Sequence, residues 1–214
     1  MIRFADRRDA GQQLAVKLTA YRNNAAVIVL GIPRGGVVVA AEIARALNAP
    51  LDVFITRKIG APFNHELALG AVASDGTVVL DEPLIHELRV PRQMVEREAD
   101  KQKREIRRRM EIYRKDRPAL GLENKTVIVT DDGIATGATM LAALRAVKQQ
   151  HPARLVLAVP VAPMQTVPQL RTECDELVLL DTPDPFIAVG YFYEDFEQVT
   201  DEGVIEILAT STRF

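Results

Sequence analysis

Short apolar runs alternate with helix-period patterns through most of the chain. AAVIVLG (25–31) is continuous, β-branched and closed by Gly31, the pattern of a strand buried on both faces. GVVVAAEIARAL (36–47) follows at helical spacing, with Ala40, Ala41, Ile43, Ala44 and Leu47 available to one face. LDVFIT (51–56) predicts the next strand, and GAVASDGTVVLDE (70–82) predicts two short strands about a turn at Ser74-Asp75-Gly76. Segment 91–118 is highly charged, yet Val95, Ala99, Ile106, Met110 and Tyr113 recur at helical spacing, which predicts a long, mostly solvated helix. Strand KTVIVT (125–130), helix ATMLAALRAVKQQ (138–150), strand RLVLAVP (154–160), a shorter helix around 164–173 and strand ELVLL (176–180) complete the series.

Strands separated by helices imply right-handed crossovers. The expected fold is therefore α/β: a mostly parallel, twisted sheet with helices on both faces. No repeat or linker divides the chain, so one domain is expected over 1–214, with a charged helical insertion at about 83–120 and a C-terminal hood at about 183–214. Ligands of open sheets of this type sit at the carboxyl ends of the strands. Two loops stand at such ends: GIPRGG (31–36) and DDGIATGAT (131–139).

Composition narrows the class only a little. With 48% hydrophobic and 26% charged residues and a formal net charge of -2, the chain reads as an ordinary globular protein, with no global pull toward nucleic acid or an acidic membrane. Cys174 is the single cysteine, which excludes an internal disulfide and a cysteine-based metal cluster and fits a reducing compartment. No run is apolar for the roughly 20 residues that span a bilayer, and MIRFADRRDAGQQLA meets charge before any apolar stretch. A cytoplasmic location is expected.

The chemistry concentrates in the second loop. Asp131 and Asp132 end a hydrophobic strand, where adjacent carboxylates repel unless solvent, a cation or hydroxyl donors attend them. A ribose offers two vicinal hydroxyls, for which ionised carboxylates are strong acceptors. Gly133, Ala135, Thr136, Gly137, Ala138 and Thr139 follow, small or hydroxylated residues at a helix N-terminus, where backbone N–H groups and the helix dipole receive a phosphate. Acids followed within a turn by such a nest suit a ribose 5-phosphate. A phosphate loop of the nucleotide-hydrolase type needs Lys after its last glycine, where Ala138 stands, and no G-x-G-x-x-G occurs in either glycine loop.

VIVTDDGIATGATM resembles the signature of type I phosphoribosyltransferases, and GIPRGGVVVAAEIA, ITRKIGAPFNHELALGAVA and VGYFYEDFEQVTDEGV are similar to a group of stand-alone bacterial members. The resemblance implies a 5-phosphoribosyl 1-diphosphate donor, a small-molecule acceptor such as a nitrogenous base, and a homodimer. It implies that GIPRGG binds diphosphate through Arg34, Gly35 and Gly36, in a loop where members often hold a cis peptide, and that Arg57 and Lys58 add cations for the leaving group. Gly60 to Glu66 resembles the start of a mobile loop, making His65 and Glu66 candidate acid–base groups. Asp131, Asp132, Lys58 and Glu66 are thus the candidate catalytic residues. Mg²⁺ is the implied cofactor, expected mainly through substrate oxygens, with water-mediated contact to Asp131 and Asp132, rather than in a protein cage.

Two features bear on the partner. Members acting on 6-oxopurines carry a third acid just before the Thr-Gly, where this chain has Ala135, so the resemblance counts against hypoxanthine or guanine. PFIAVGYFYEDFEQVTD (185–201) echoes a segment that covers the base, with Phe186, Ile187, Tyr191, Phe192 and Tyr193 as a stacking wall and Asp195 and Glu197 as polar contacts; a final strand with core aromatics reads equally well. The rival functions are an RNA-binding regulator and a non-catalytic sensor of the same donor. Segment 92–117 holds eleven Lys/Arg against six Asp/Glu, but it is better read as a solvated helix with pairs such as Glu105 and Arg109, since only Tyr113 offers a stacking platform. A lid over the site or a dimer contact are further readings of that helix. Little RNA retention is expected at physiological salt, and a filter-binding titration showing tight, steeply salt-dependent capture would instead support the regulator.

Overall fold

The computed structural model describes residues 2–114 and 118–211, apart from the side chains of His65 and Glu66. Helix α1 (Arg7–Lys17) leads into strand β1 (Val27–Gly31), helix α2 (Gly35–Leu47) and strand β2 (Leu51–Val53). Strands β3 (Thr56–Ala61), β4 (Asn64–Ala73) and β5 (Val78–Leu80) follow, then helices α3 (Glu82–Glu87) and α4 (Arg92–Arg114). Strand β6 (Thr126–Thr130), helix α5 (Ala138–Lys148), strand β7 (Arg154–Val161), helix α6 (Val167–Thr172), strand β8 (Glu176–Asp181) and helix α7 (Asp201–Thr210) close the chain.

Five parallel strands form the main sheet in the order β2-β1-β6-β7-β8. Alternation along each strand divides the core. Val27 and Val29 of β1 join Val37, Ile43 and Leu47 of α2 on one face. Ile28 and Leu30 join Met140, Leu144 and Val147 of α5 on the other. All five residues of β1 are buried, which is why the run reads as continuously apolar.

A second sheet, β3-β4-β5, is antiparallel and corrects one expectation. LDVFIT is not one strand: β2 ends at Val53 and Thr56 begins β3 in the other sheet. Phe54 and Ile55 between them are buried at 3% and 4%, so the apolar run does not betray the switch. The stretch that resembles the start of a mobile loop is the turn end of a hairpin, in which β3 runs to Ala61 and β4 starts at Asn64. Helix α1 left no apolar stripe in the sequence because its buried face is Ala10, Gly11, Leu14 and Ala15. Its Gly11 lies so close to α2 that a Cβ there would stand 2.8 Å from both Glu42 Cβ and Val39 O.

The charged segment is a long, mostly solvated helix, as expected, and it docks through one narrow face. Val95, Ala99, Gln102, Ile106 and Tyr113 are buried along α4, which packs on β3, β4 and α7. At its C-terminal end the Arg114 guanidinium grips the buried Asp52 carboxylate of β2 with a fork of two bonds, 3.0 and 2.8 Å. Replacing Arg114 by Ala strands that carboxylate and is expected to cost about 3 kcal/mol of unfolding free energy in a urea titration. A loss below about 0.5 kcal/mol, the range of an ordinary surface substitution, would show that the pair does not anchor the helix.

Candidate functional site

Gly31 and Thr130 are register partners at the ends of neighbouring parallel strands. The two glycine-containing loops therefore emerge side by side, and Ile32 N–H donates to Thr130 O at 3.0 Å. The contact tightens in the next turn. A Cβ on Gly36 would lie 2.7 Å from Asp131 Cα and Oδ1, and one on Gly35 would lie 1.9 Å from Asp132 Oδ2. The pair Gly35-Gly36 thus does something the sequence did not disclose: it gives the acid pair room against the start of α2. The Pro33–Arg34 peptide bond in this loop is cis.

The acid pair carries its own counter-ion. Arg7 of α1 places Nε 2.7 Å from Asp132 Oδ2, donates Nη1–H to Glu197 O at 2.8 Å, and lays its guanidinium 3.7 Å from the centre of the Phe196 ring. Tyr193 O–H donates to the Asp132 carbonyl, and Asp132 N–H donates to Asp131 Oδ1 at 2.8 Å. Burial and then the neighbouring Asp132 charge hold the Asp131 carboxyl well above its ordinary value. Burial, then the same carboxylate, pushes the Tyr193 phenol above its usual range. Sequence reasoning named neither Arg7, Tyr193 nor Phe196 for this role. The one available signal was that paired acids at a strand end call for a nearby cation.

Beyond the acids, Gly133 packs so tightly that a Cβ would stand 2.5 Å from Val189 Cγ1, and Ile134 N–H donates to Val161 O at 2.9 Å. Ala135, Thr136, Ala138 and Thr139 are exposed. Gly137 precedes α5 at φ 82°, a left-handed conformation in which glycine is unstrained. The first turn of bonds runs from Leu141 N–H to Gly137 O at 2.8 Å, so the amides of Ala138, Thr139 and Met140 sit at the helix start, where backbone donors have no intrahelical acceptor.

A cavity of about 720 Å³ opens beside this loop, lined among others by Arg57, Lys58, Lys101, Gln102, Thr136 and Thr139. The structure thus brings Arg57 and Lys58 of β3 together with the small loop before α5 and residues of α4. Thr56 of β3 ties the two together by donating its hydroxyl to Thr139 O at 3.2 Å. Arg34 lies at the other loop, with Nη1 3.8 Å from Asp201 Oδ1 at the start of α7. Glu66 and His65 fall in β4, and their side chains lie outside the described residues. Among the described residues no three His, Cys, Asp or Glu side chains converge to hold a metal.

The proposed stacking wall is partly corrected. Phe192 and Tyr193 are 1% and 3% exposed and pack with Phe4 and Val161, so both rings belong to the core. Ile187 and Tyr191 are exposed, and Phe186 is half-buried with its ring 5.2 Å from that of Phe192. No final strand forms here: a 3₁₀ turn covers Val189–Phe192, and a single bridge pairs Tyr193 with Phe4. Asp195 and Glu197 are exposed, with Glu197 N–H donating to Asp195 Oδ1 at 3.0 Å. On α4, Arg108 and Arg109 both donate to Glu105, which lowers its carboxyl to about 2.

The model of the phosphoribosyl transferase domain matches residues 6–195, from the Arg7 helix through the aromatic segment. The chain belongs to the phosphoribosyl transferase family. Two strains of Mycobacterium tuberculosis carry curated relatives named "Putative phosphoribosyl transferase", each 42% identical over 210 residues and 98% of this chain. The chain spans 47% of their length, about half. The crystal structure of TT1426 from Thermus thermophilus is similar along nearly the whole chain, with 48% identity, a TM-score of 0.87, and coverage of 97% of this chain and 98% of that one. No helix among the described residues is long and apolar enough to cross a membrane.

The raised Asp131 carboxyl makes a signed prediction for this transferase domain. A folded-state value above the ordinary 3.8 contributes stability that is fully present below that value and is lost as pH rises through the raised one. Asp131→Asn keeps an oxygen for the Asp132 amide while removing the charge. The ligand-free variant is therefore expected to melt above wild type at pH 8, by roughly 2–4 °C, the shift that about 1 kcal/mol makes in a domain of this size. Near pH 4 the gap should close. Scanning calorimetry showing the variant less stable at pH 8 would contradict this account of the pair.

Proposed function

We propose that this family member binds 5-phosphoribosyl 1-diphosphate with Mg²⁺ and transfers ribose 5-phosphate to a nitrogenous base or similar acceptor, releasing diphosphate. One observation carries the reading: an acid pair and a helix-start phosphate nest leave one strand, and the arginine-bearing glycine loop leaves its neighbour in direct contact with those acids. In this reading Asp131 and Asp132 accept the ribose hydroxyls, and Thr136 to Thr139 receive the 5-phosphate at the start of α5. Arg34, Arg57 and Lys58 receive the diphosphate.

In the reaction the bond from the anomeric carbon to diphosphate breaks, and diphosphate departs with the electron pair. A bond from the acceptor forms at that carbon, and the acceptor gives up its proton to a base or to solvent. The protein's part is to hold donor and acceptor in line and to neutralise the negative charge that grows on the departing diphosphate. Mg²⁺ suits the site's chemistry, since the donors available are hard carboxylate oxygens in a pair that a nearby cation relieves; when bound it supplies further charge neutralisation to the diphosphate. Ala135 stands exposed where a 6-oxopurine enzyme has an acid, which supports an acceptor outside that group.

Replacing both Asp131 and Asp132 by Asn should weaken binding of 5-phosphoribosyl 1-diphosphate by about 10- to 100-fold in calorimetry, because hydrogen bonds to charged groups contribute about 1.5–3 kcal/mol. Equal affinity in a folded double variant sinks the site assignment. Diphosphate release from labelled donor, Mg²⁺ and a panel of bases, seen only when a particular base is added, identifies the acceptor. Tight donor binding with no release for any base would favour a sensor.

A further inference from the structure

Both arginines assigned above to the diphosphate trace back to one face of α4. We propose that α4 is the positioning element for diphosphate recognition, with Gln102 fixing Arg57 directly and Tyr113 fixing Arg34 through Asp201. The proposal rests on the phosphoribosyl diphosphate reading of the site and adds to it a role for the long charged helix.

Gln102 and Tyr113 are eleven residues apart, which is three turns and returns both to the same face. Each is a polar group spent in the helix's buried contact. Gln102 is 8% exposed, and its Nε2 donates to Glu98 Oε1 at 2.5 Å. That bond fixes the amide's orientation and leaves Oε1 to accept from Arg57 Nε at 2.5 Å. The contact uses Nε, so the guanidinium is held by its side while its two terminal nitrogens form the fork that matches phosphate oxygens. The amide also grips without neutralising. A carboxylate at position 102 would pair with Arg57 and subtract the charge that a diphosphate needs. Lys101, the preceding residue on the helix, lines the same cavity as Arg57 and Lys58.

The other contact lies at the C-terminal end. Tyr113 is 2% exposed and donates its hydroxyl to Asp201 Oδ1 at 2.5 Å, the same oxygen that stands 3.8 Å from Arg34 Nη1. Asp201 is itself held as the first residue of α7, whose cap is the Thr200 hydroxyl accepting from Gly203 N–H at 3.1 Å. The phenol therefore occupies part of the carboxylate's accepting capacity and sets how far it closes on Arg34. The forked Arg114–Asp52 pair next to Tyr113 stops the helix from sliding, so both contacts keep their register. One polar residue of the docked face thus bonds an arginine directly, and the other bonds the carboxylate that faces the second arginine.

The test uses Gln102→Leu, which keeps volume and removes both bonds, and Tyr113→Phe, which removes only the hydroxyl. Calorimetry is run with Mg²⁺ and inorganic diphosphate, and separately with ribose 5-phosphate. Each variant is expected to bind diphosphate about tenfold more weakly, the loss that one hydrogen bond to a charged group represents, with ribose 5-phosphate affinity within about twofold of wild type. Gln102→Glu should weaken diphosphate further than Gln102→Leu. Wild-type diphosphate affinity in folded variants overturns the proposal, and so does an equal weakening of both probes, which marks a general structural role. If wild type binds neither probe, the donor reading itself fails and the proposal falls with it.

Discussion

Two carboxylates at the end of a buried strand repel one another, and the surroundings of this site are arranged around that repulsion. Arg7 answers the charge of Asp132 directly, Tyr193 holds the connecting backbone, and Phe196 backs the guanidinium. The same crowding dictates glycine at two consecutive positions of the opposite loop, because any Cβ there would strike the acids. Asp131 is left with its carboxyl raised by burial, an unrelieved cost in the ligand-free protein. A site that costs stability when empty is strained in the sense that binding partners with hydroxyls or positive charge relieve it.

The remaining architecture restrains two further arginines around the loops that follow β1 and β6. Arg57 sits on the small antiparallel sheet, Arg34 on the loop between β1 and α2, and the docked face of α4 reaches both neighbourhoods. Each is restrained by a neutral or shared acceptor rather than by a private carboxylate. Charges that flank the docked face of α4, such as Glu105 with Arg108 and Arg109, pair among themselves. The excess positive charge of the segment is thereby divided between a self-paired surface and a few groups turned to the cavity.

Much of this was legible before the structure. The strands β1, β6 and β7 are buried on both faces, so their sequences are uninterrupted, and α2 and α5 carry one dense apolar stripe each. Both site loops were found because they follow such strands. What escaped notice did so for physical reasons. Val53 to Thr56 crosses between sheets through buried residues, so hydrophobicity is constant across the break. Gly60 to Glu66 was read through a family resemblance, which does not disclose that a two-residue turn joins β3 to β4. Phe192 and its aromatic neighbours look alike in sequence, and only packing separates a core ring from an exposed one. Gln102 carries no apolar signal although it is buried, because its burial is satisfied by hydrogen bonds.

Arg7 was invisible for a different reason: it meets Asp132 across 125 residues and Glu197 across 190. That span has a consequence for how the site comes into being. Contacts so distant in sequence carry a large loop-closure cost and are made after local structure has formed. The acids wait at the end of β6, their counter-ion belongs to the first helix, and the ring beneath it lies near the last. The three groups meet only when both ends of the fold have closed on the middle, so the acid pair gains its counter-ion only in the finished fold.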